Sequence, residues 1–146
     1  MAEPYCLAMV LCDAVHREKA TGKFTILGTC NAFTAAKFPT KVEFCLYAAI
    51  TDAIGPVKLM MRLVTSEYSL QGHDDGGLIL EVESPTFCLE SPSDVLESYL
   101  PIKAEISGAG HYHCELYANE HLLMARRLRV IKVPKPDDES EHVDVI

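Results

Sequence analysis

The chain has 146 residues, of which 49% are hydrophobic and 23% charged, and its formal net charge is −8. A domain of this size buries a full core, and the composition excludes a disordered chain, a collagen-like repeat and a large multidomain enzyme. No apolar run reaches the roughly 20 residues that a membrane-spanning helix needs, so we expect a soluble domain with no membrane partner.

The acidic balance also argues against a nucleic-acid partner, because such proteins normally carry a basic excess. The amino-terminal residues lack the basic stretch and cleavage site of a secretory signal. The six cysteines are spread along the chain without a Cys-x-x-Cys pair, which favours buried free thiols over disulfides or a zinc ribbon. We therefore expect a cytoplasmic protein.

Short runs rich in β-branched and aliphatic residues, separated by Gly, Pro, Asp and Asn, predict a β protein. The run 5–12 is apolar on both faces, which is typical of a central strand, and 23–30 predicts a second strand. The runs 42–50 and 57–63 alternate with period two on either side of the turn sequence 52–56. This arrangement predicts a hairpin.

In the second half of the chain, the turn sequence 73–77 precedes a strand that begins at residue 78. A capping serine and a proline predict one short helical turn over 92–98. The next strand covers 99–106, where Pro101 favours an edge position because proline cannot donate to a neighbouring strand.

The clearest pair of strands is 110–117 and 122–130. Each has one apolar face, with Arg126 as an exception in the second strand. The residues of the two faces are Tyr112, Cys114 and Leu116, and Leu122, Met124, Leu128 and Val130.

The loop between these two strands decides which faces meet. A two-residue turn at Asn119 and Glu120 would place the two apolar faces on opposite sides, because a one-residue slip reverses every side chain. A three-residue loop over 118–120 pairs Tyr117 with His121 and brings the apolar faces together. We therefore expect the three-residue loop, with Asn119 or Glu120 in the left-handed region.

After Val133, two prolines and a run of acids predict a disordered acidic tail over 134–146, so that the domain spans 1–133. The preceding seven or eight strands, with at most one short helix, predict an antiparallel β-sandwich of the immunoglobulin-like type.

The pattern Gly110-x-Tyr112-x-Cys114 resembles strand F of an immunoglobulin-like domain, in which a tyrosine two residues before a core cysteine stabilises a corner. The resemblance implies that the last two strands form the F–G hairpin and that Cys30 stands where a partner of Cys114 would lie. The chain has no tryptophan, so the resemblance is to the architecture and not to antibody-type domains.

The segments LCDAV at 11–15 and GKFTILG at 22–28, followed by Phe38-Pro39, resemble a family of small uncharacterised bacterial proteins classed only as a domain of unknown function. The resemblance spans residues 7–65 and, more loosely, the last hairpin. It implies a bacterial source and a sandwich fold, and it assigns no activity.

His111 and His113 are two residues apart on a predicted strand, so both rings point to one face, as metal ligands on a sheet do. With the three-residue loop, His121 and Glu115 share that face, and this set could hold Zn²⁺ or another first-row metal. The favoured interpretation is a solvent-exposed polar face, with Arg127 opposite His111.

No group of residues predicts catalysis. The serines lie in turns without a Gly-x-Ser-x-Gly elbow, and the cysteines lie in core-like runs where burial makes them poor nucleophiles. The turn sequence 73–77 lacks the spaced oxygen ligands of a calcium loop.

We therefore expect a non-catalytic interaction or assembly module without a cofactor, which binds a protein partner or a second copy through a sheet face or an edge strand. The candidate interaction residues are His111, His113, Tyr117, His121 and Arg127. The alternative is a metal-binding protein or metal-dependent enzyme that uses His111, His113, Glu115 and His121.

Overall fold

The computed structural model describes residues 3–66 and 77–135, which contain nine β-strands in two sheets. The strands are β1 (Tyr5–Arg17), β2 (Phe24–Thr29), β3 (Ala32–Ala35), β4 (Thr40–Thr51), β5 (Gly55–Thr65), β6 (Leu78–Leu89), β7 (Leu96–Ile106), β8 (Gly110–Ala118) and β9 (His121–Lys132). One sheet has the order β2-β1-β4-β7 and the other β3-β9-β8-β5-β6, with a shared apolar core between them. The predicted all-β sandwich is confirmed.

Strand β3 was not predicted, because its four residues are too few to show an alternating pattern. It pairs with β9 in parallel, whereas the other strand pairs are antiparallel. It pairs only with residues 129–132 of β9. The earlier part of β9 therefore has no neighbouring strand on that side among the described residues.

The predicted hairpin of β4 and β5 is wrong. Strand β4 pairs with β1 and β7 in one sheet, and β5 pairs with β6 and β8 in the other. The connection crosses between the sheets, with Asp52 and Gly55 both at positive φ. A turn sequence between two alternating runs is compatible with this arch as well as with a hairpin. In the arch the apolar faces of the two strands meet across the core, and in a hairpin they lie side by side in one sheet.

The predicted helical turn over 92–98 is also wrong. The Asp94 carboxylate accepts hydrogen bonds from the backbone N–H groups of Glu90 and Ser91, at 3.2 and 3.0 Å, and holds a tight turn. Strand β7 begins directly afterwards at Leu96. The edge position indicated by Pro101 is confirmed, because β7 is the last strand of its sheet.

The hairpin of β8 and β9 has a two-residue turn, so the predicted three-residue loop is wrong. Ala118 pairs with His121 across Asn119 and Glu120, which both have positive φ as expected. A β-bulge between Leu116 and Tyr117 on the ladder then shifts the register by one residue. The bulge brings Tyr112 opposite Leu128, so that the two apolar faces meet after all.

The tyrosine corner is confirmed, because the Tyr112 hydroxyl donates to the carbonyl oxygen of Gly108. Tyr112 is buried, and Cys114, two residues later, lies in the core. This is the arrangement found at strand F of immunoglobulin-like sandwiches.

Strand β1 pairs with β4 over its first half and with β2 from Cys12 onwards. The Phe24 ring of β2 lies 5.9 Å from the Tyr47 ring of β4, so the arm formed by β1 and β2 turns back over the outer face of the sheet. This cover does not reach the start of β1, where Tyr5 and Leu7 are 59% and 51% exposed. Residues 5–10 of β1 have no second neighbouring strand in the described part of the chain, whereas the Leu11 carbonyl accepts a hydrogen bond from the Cys30 N–H.

Two predictions fall on residues that the structure does not describe. The turn sequence 73–77 lies outside the described residues except for its last glycine, and so does the tail beyond residue 135. Near the end of the described residues, the N–H of Val133 donates to the Ala35 carbonyl at 3.0 Å. Within the described ranges, no helix is long and apolar enough to cross a membrane.

Candidate interaction site on the open side of the sandwich

The outer face of β8 carries the predicted row of polar side chains. His111 is exposed and lies opposite Arg129. His113 is half-buried, with its Nδ1 atom 3.4 Å from the Ser66 hydroxyl. Arg127 lies opposite His113, and not opposite His111 as predicted, because the two-residue turn and the bulge each move the register by one residue.

His121 does not belong to this row. It lies opposite Ala118 at the end of the hairpin, and not opposite Tyr117. The four residues proposed as metal ligands are therefore not brought together. Among residues 3–66 and 77–135, no group of three or more His, Cys, Asp and Glu side chains could hold a metal ion.

Glu115 and Tyr117 form a compact polar cluster with Arg62 of β5. Glu115 is only 7% exposed, and it accepts a hydrogen bond of 3.0 Å from the Tyr117 hydroxyl. The Arg62 guanidinium carbon lies 5.9 Å from the centre of the Tyr117 ring, and its Nε atom lies 3.1 Å from the Glu81 carboxylate. Burial, followed by the Glu115 hydrogen bond, raises the pKa of Tyr117. These contacts hold the three side chains together within the sheet.

All six cysteines are free thiols, but only Cys6, Cys12 and Cys114 are buried as predicted; Cys30 and Cys45 are half-buried and Cys88 is exposed. Burial raises the pKa of the Cys114 thiol to about 12, and nearby Cys30 adds to this effect. Burial, followed by Asp13, raises the pKa of Cys30 to about 11. The positions of Cys30 and Cys114 are thus close, as the immunoglobulin resemblance implied, but no disulfide joins them. Thiols with raised pKa values are poor nucleophiles.

Along one side of the sandwich, both sheets present a free strand edge. The N–H of Arg129 donates to the Asn31 carbonyl at 3.0 Å, so the odd-numbered residues in this part of β9 direct their backbone groups away from β8. The backbone groups of Ala125 and Arg127 therefore face the same side. No described residue pairs with them there.

Arg126 connects the two edges. Its side chain reaches from β9 to β1, where its Nε atom donates a 3.0 Å hydrogen bond to the Met9 carbonyl oxygen. This explains the one cation in an otherwise apolar row, because the core is open at that position and the guanidinium reaches the edge of the opposite sheet. The open side is thereby divided into two hollows.

The larger hollow, here called the groove, has a volume of about 690 Å³. It lies at the end of the sandwich formed by the start of β1, the β4–β5 arch, the β8–β9 turn and the start of β9. Its lining is mixed, with large apolar side chains beside polar groups of nearly equal exposed area; it comprises Glu3, Pro4, Tyr5, Cys6, Ala53, Ile54, Asn119, His121, Leu122, Leu123 and Met124. The smaller hollow, of about 240 Å³, continues past Arg126 and Arg127.

Large apolar side chains are unusually exposed around the groove. Tyr5, Ile54 and Leu122 are 59%, 57% and 53% exposed. Leu122 lies outside the core, contrary to prediction, because the two-residue turn pairs it with Tyr117 on the outer face; Leu123 packs against the core instead. Clustered exposed apolar residues mark interaction sites more often than single ones do. The groove is therefore the strongest candidate site.

The two-sheet topology, the open edges and the tyrosine corner define an immunoglobulin-like β-sandwich. The chain belongs to a family of unknown function (DUF6941), whose sequence model matches residues 7–131. This confirms the predicted family resemblance, and the family supplies no activity. No curated protein matches the chain significantly.

Two solved structures share the fold. The C-terminal domain of wzt matches with a TM-score of 0.53 at 11% identity, over 99% of this chain and 86% of that one. The Pseudomonas fluorescens alkylpurine DNA glycosylase AlkC, bound to DNA containing an abasic site analog, matches with a TM-score of 0.51 at 12% identity. The match covers 89% of this chain but only 31% of the glycosylase chain. Identities this low show the fold alone.

Sequence reasoning missed the groove and most of its lining. Its residues come from three separate parts of the chain, around residues 3–6, 53–54 and 119–124, so no local spacing reveals them. Two local signals were present. The run 5–12 has too many apolar residues for a strand with one face in solvent, and the adjacent Leu122 and Leu123 break the alternation of apolar and polar residues expected of such a strand.

Proposed function

We propose that this protein is a non-catalytic binding module that takes an extended segment of a protein chain along its open side, by strand addition to β9. One observation carries the proposal. A backbone edge at Ala125 and Arg127, with which no described residue pairs, lies directly beside a groove that exposes large apolar side chains. Strand addition uses these two features together, because main-chain hydrogen bonds give affinity and side-chain pockets give specificity.

The dimensions suit a short segment. The free stretch of β9 covers residues 122–128, which at about 3.3 Å per residue is roughly 23 Å long. A bound strand of six or seven residues would place alternate side chains over the groove and the remaining ones beside the outer face of β9. Arg127 lies on that face, and the predicted residues His111 and His113 lie on β8, one strand further into the sheet.

The free edge of β9 also has charged side chains that limit unspecific strand pairing. Arg126, Arg127 and Arg129 follow one another along β9 and are exposed. Charged side chains on an edge strand discourage pairing with arbitrary strands. A segment that does bind must therefore complement positive charge.

The metal-binding alternative is not proposed. His121 lies away from His111 and His113, and the polar groups of Glu115 are engaged by Tyr117 and its neighbours.

The test is a selection of random ten-residue peptides displayed on phage against the full chain. We expect selected peptides to bind the wild type and to lose binding to Ala125→Pro, which removes an N–H directed at the free edge while leaving the β8 ladder intact. The matched control is Glu105→Pro, an exposed position on edge strand β7 that shares the outward orientation of Pro101.

A second pair of variants does not depend on proline. Leu122→Lys places a charge in the groove at a site that is 53% exposed, and Leu27→Lys does the same at a site that is 51% exposed on β2. Peptides that lose binding to Leu122→Lys but still bind Leu27→Lys support the proposal. Failure to select any peptide, or equal binding to all four variants, would contradict it.

A further inference from the structure

Resting on the proposed function, we infer that the occupant of the open side is the acidic segment 137–146 of a second copy of this chain. The protein would then associate with itself, with the segment of one copy added as a strand to β9 of the other. The argument combines charge, apolar pattern, register and the path of the chain.

The charges are complementary. Segment 137–146 contains five carboxylates and no lysine or arginine. On β9, the guanidinium groups of Arg126, Arg127 and Arg129 are exposed, and no carboxylate within residues 3–66 and 77–135 lies within 4 Å of them. Carboxylates that pair with arginines form stronger, charge-assisted hydrogen bonds.

The apolar pattern is complementary as well. Val143 and Val145 are separated by one residue, so in an extended strand both side chains point to one face, and Asp144 points to the other. The groove offers Leu123 and Met124 on the core side of β9. Two small β-branched side chains suit a shallow apolar groove that lies beside a strand edge.

The register fixes the direction of the added strand. On β9, the apolar residues 122–124 precede Arg126 and Arg127, whereas in the segment the carboxylates 137–141 precede Val143 and Val145. Only an antiparallel strand places valines beside the groove and carboxylates beside the arginines at the same time. On β9 the apolar residues and the arginines lie three to four residues apart, and so do valines and carboxylates in the segment. A single register can therefore pair valines with the groove and carboxylates with the arginines.

The path of the chain favours a second copy. The chain leaves the sandwich beside β3, where the N–H of Val133 donates to the Ala35 carbonyl. Strand β3 occupies the β9 edge at residues 129–132, between that exit and the free stretch. A segment that folded back as a simple hairpin would collide with β3. A segment from another copy approaches the free edge from the open side without this obstacle.

The test uses full-length variants in sedimentation velocity over a range of protein concentrations. We expect the wild type to associate, and the association to weaken with added salt because arginine–carboxylate pairs are screened. Val143→Asp combined with Val145→Asp, and separately Ala125→Pro, should each abolish it. The matched control for the segment is Ser140→Asp combined with His142→Asp, which adds the same charge on the opposite face and should leave association intact.

Mixing supplies the decisive observation. The double valine variant keeps a free edge, and Ala125→Pro keeps an intact segment, so an equimolar mixture should form a one-to-one complex that neither variant forms alone. Leu122→Lys replaces Ala125→Pro if the proline variant does not fold. A mixture that stays monomeric would overturn the inference.

Two further outcomes would also overturn it. One is a wild type that stays monomeric while its Ala125 amide exchanges faster with solvent in the double valine variant, which shows occupation by the same copy. The other is a wild type that stays monomeric and whose Ala125 amide exchanges at the same rate as in the double valine variant. If phage-selected peptides still bind the open side in either case, the proposed function stands and only the occupant is wrong.

Discussion

The Nε atom of Arg126 and the carbonyl oxygen of Met9, 3.0 Å apart, form a hydrogen bond that joins the two sheets across the open side of the sandwich. The two residues are 117 positions apart in the chain. Beyond this bond, only a few contacts connect β1 to β9 at the side where both edges are free, so the bond fixes the width of the opening.

Substituting Arg126→Ala should lower the free energy of unfolding by about 1 kcal/mol, because a partly buried hydrogen bond from a charged donor is lost. The measurement is urea denaturation followed by circular dichroism. Arg129→Ala is the control, since that exposed side chain makes no hydrogen bond with a described residue, and its effect should stay within about 0.5 kcal/mol. Equal losses for the two variants would show that the bond does not hold the sheets together.

Substituting Tyr112→Phe should destabilise the fold by roughly 1–2 kcal/mol. The variant removes the hydroxyl that donates to the Gly108 carbonyl, and it leaves that acceptor unpaired in a partly buried corner. Tyr99→Phe provides the comparison, because Tyr99 is 42% exposed on β7. A thermal melt that shifts for both variants by the same amount would argue against a tyrosine corner.

Alkaline pH should destabilise the protein. The thiols of Cys30 and Cys114 have an ordinary pKa of 9.0 when unfolded and about 11 and about 12 when folded. Between these values the unfolded chain loses protons that the folded chain keeps, so this contribution is fully present below pH 9 and is lost as the pH rises towards 11–12.

The check is the urea midpoint at pH 8, 9.5 and 10.5. We expect it to fall with pH in the wild type and to fall less in Cys114→Ala, which removes the more strongly shifted thiol. A parallel decline in both proteins would assign the effect to other groups, among them Tyr47, whose pKa burial raises to about 12.

The sequence was sufficient for the fold class and for the features that arise from neighbouring residues. Period-two alternation predicts strands because one face is buried and the other is not, and this identified eight of the nine strands. The edge position of Pro101 and the corner at Tyr112 follow from the chemistry of one residue each. The family resemblance came from short motifs that the whole-chain match then confirmed.

Only the tertiary structure decided which strands are neighbours and where a site could form. The runs on either side of Asp52 look like a hairpin, yet they lie in different sheets, because local turn chemistry does not encode which sheet a strand joins. The two-residue turn placed His121 opposite Ala118, on the other face from His111 and His113, since a one-residue change of register reverses the face of each side chain. The groove exists because the short strand β3 leaves most of one edge free. That is a long-range property, so burial and pairing over the whole domain determine it.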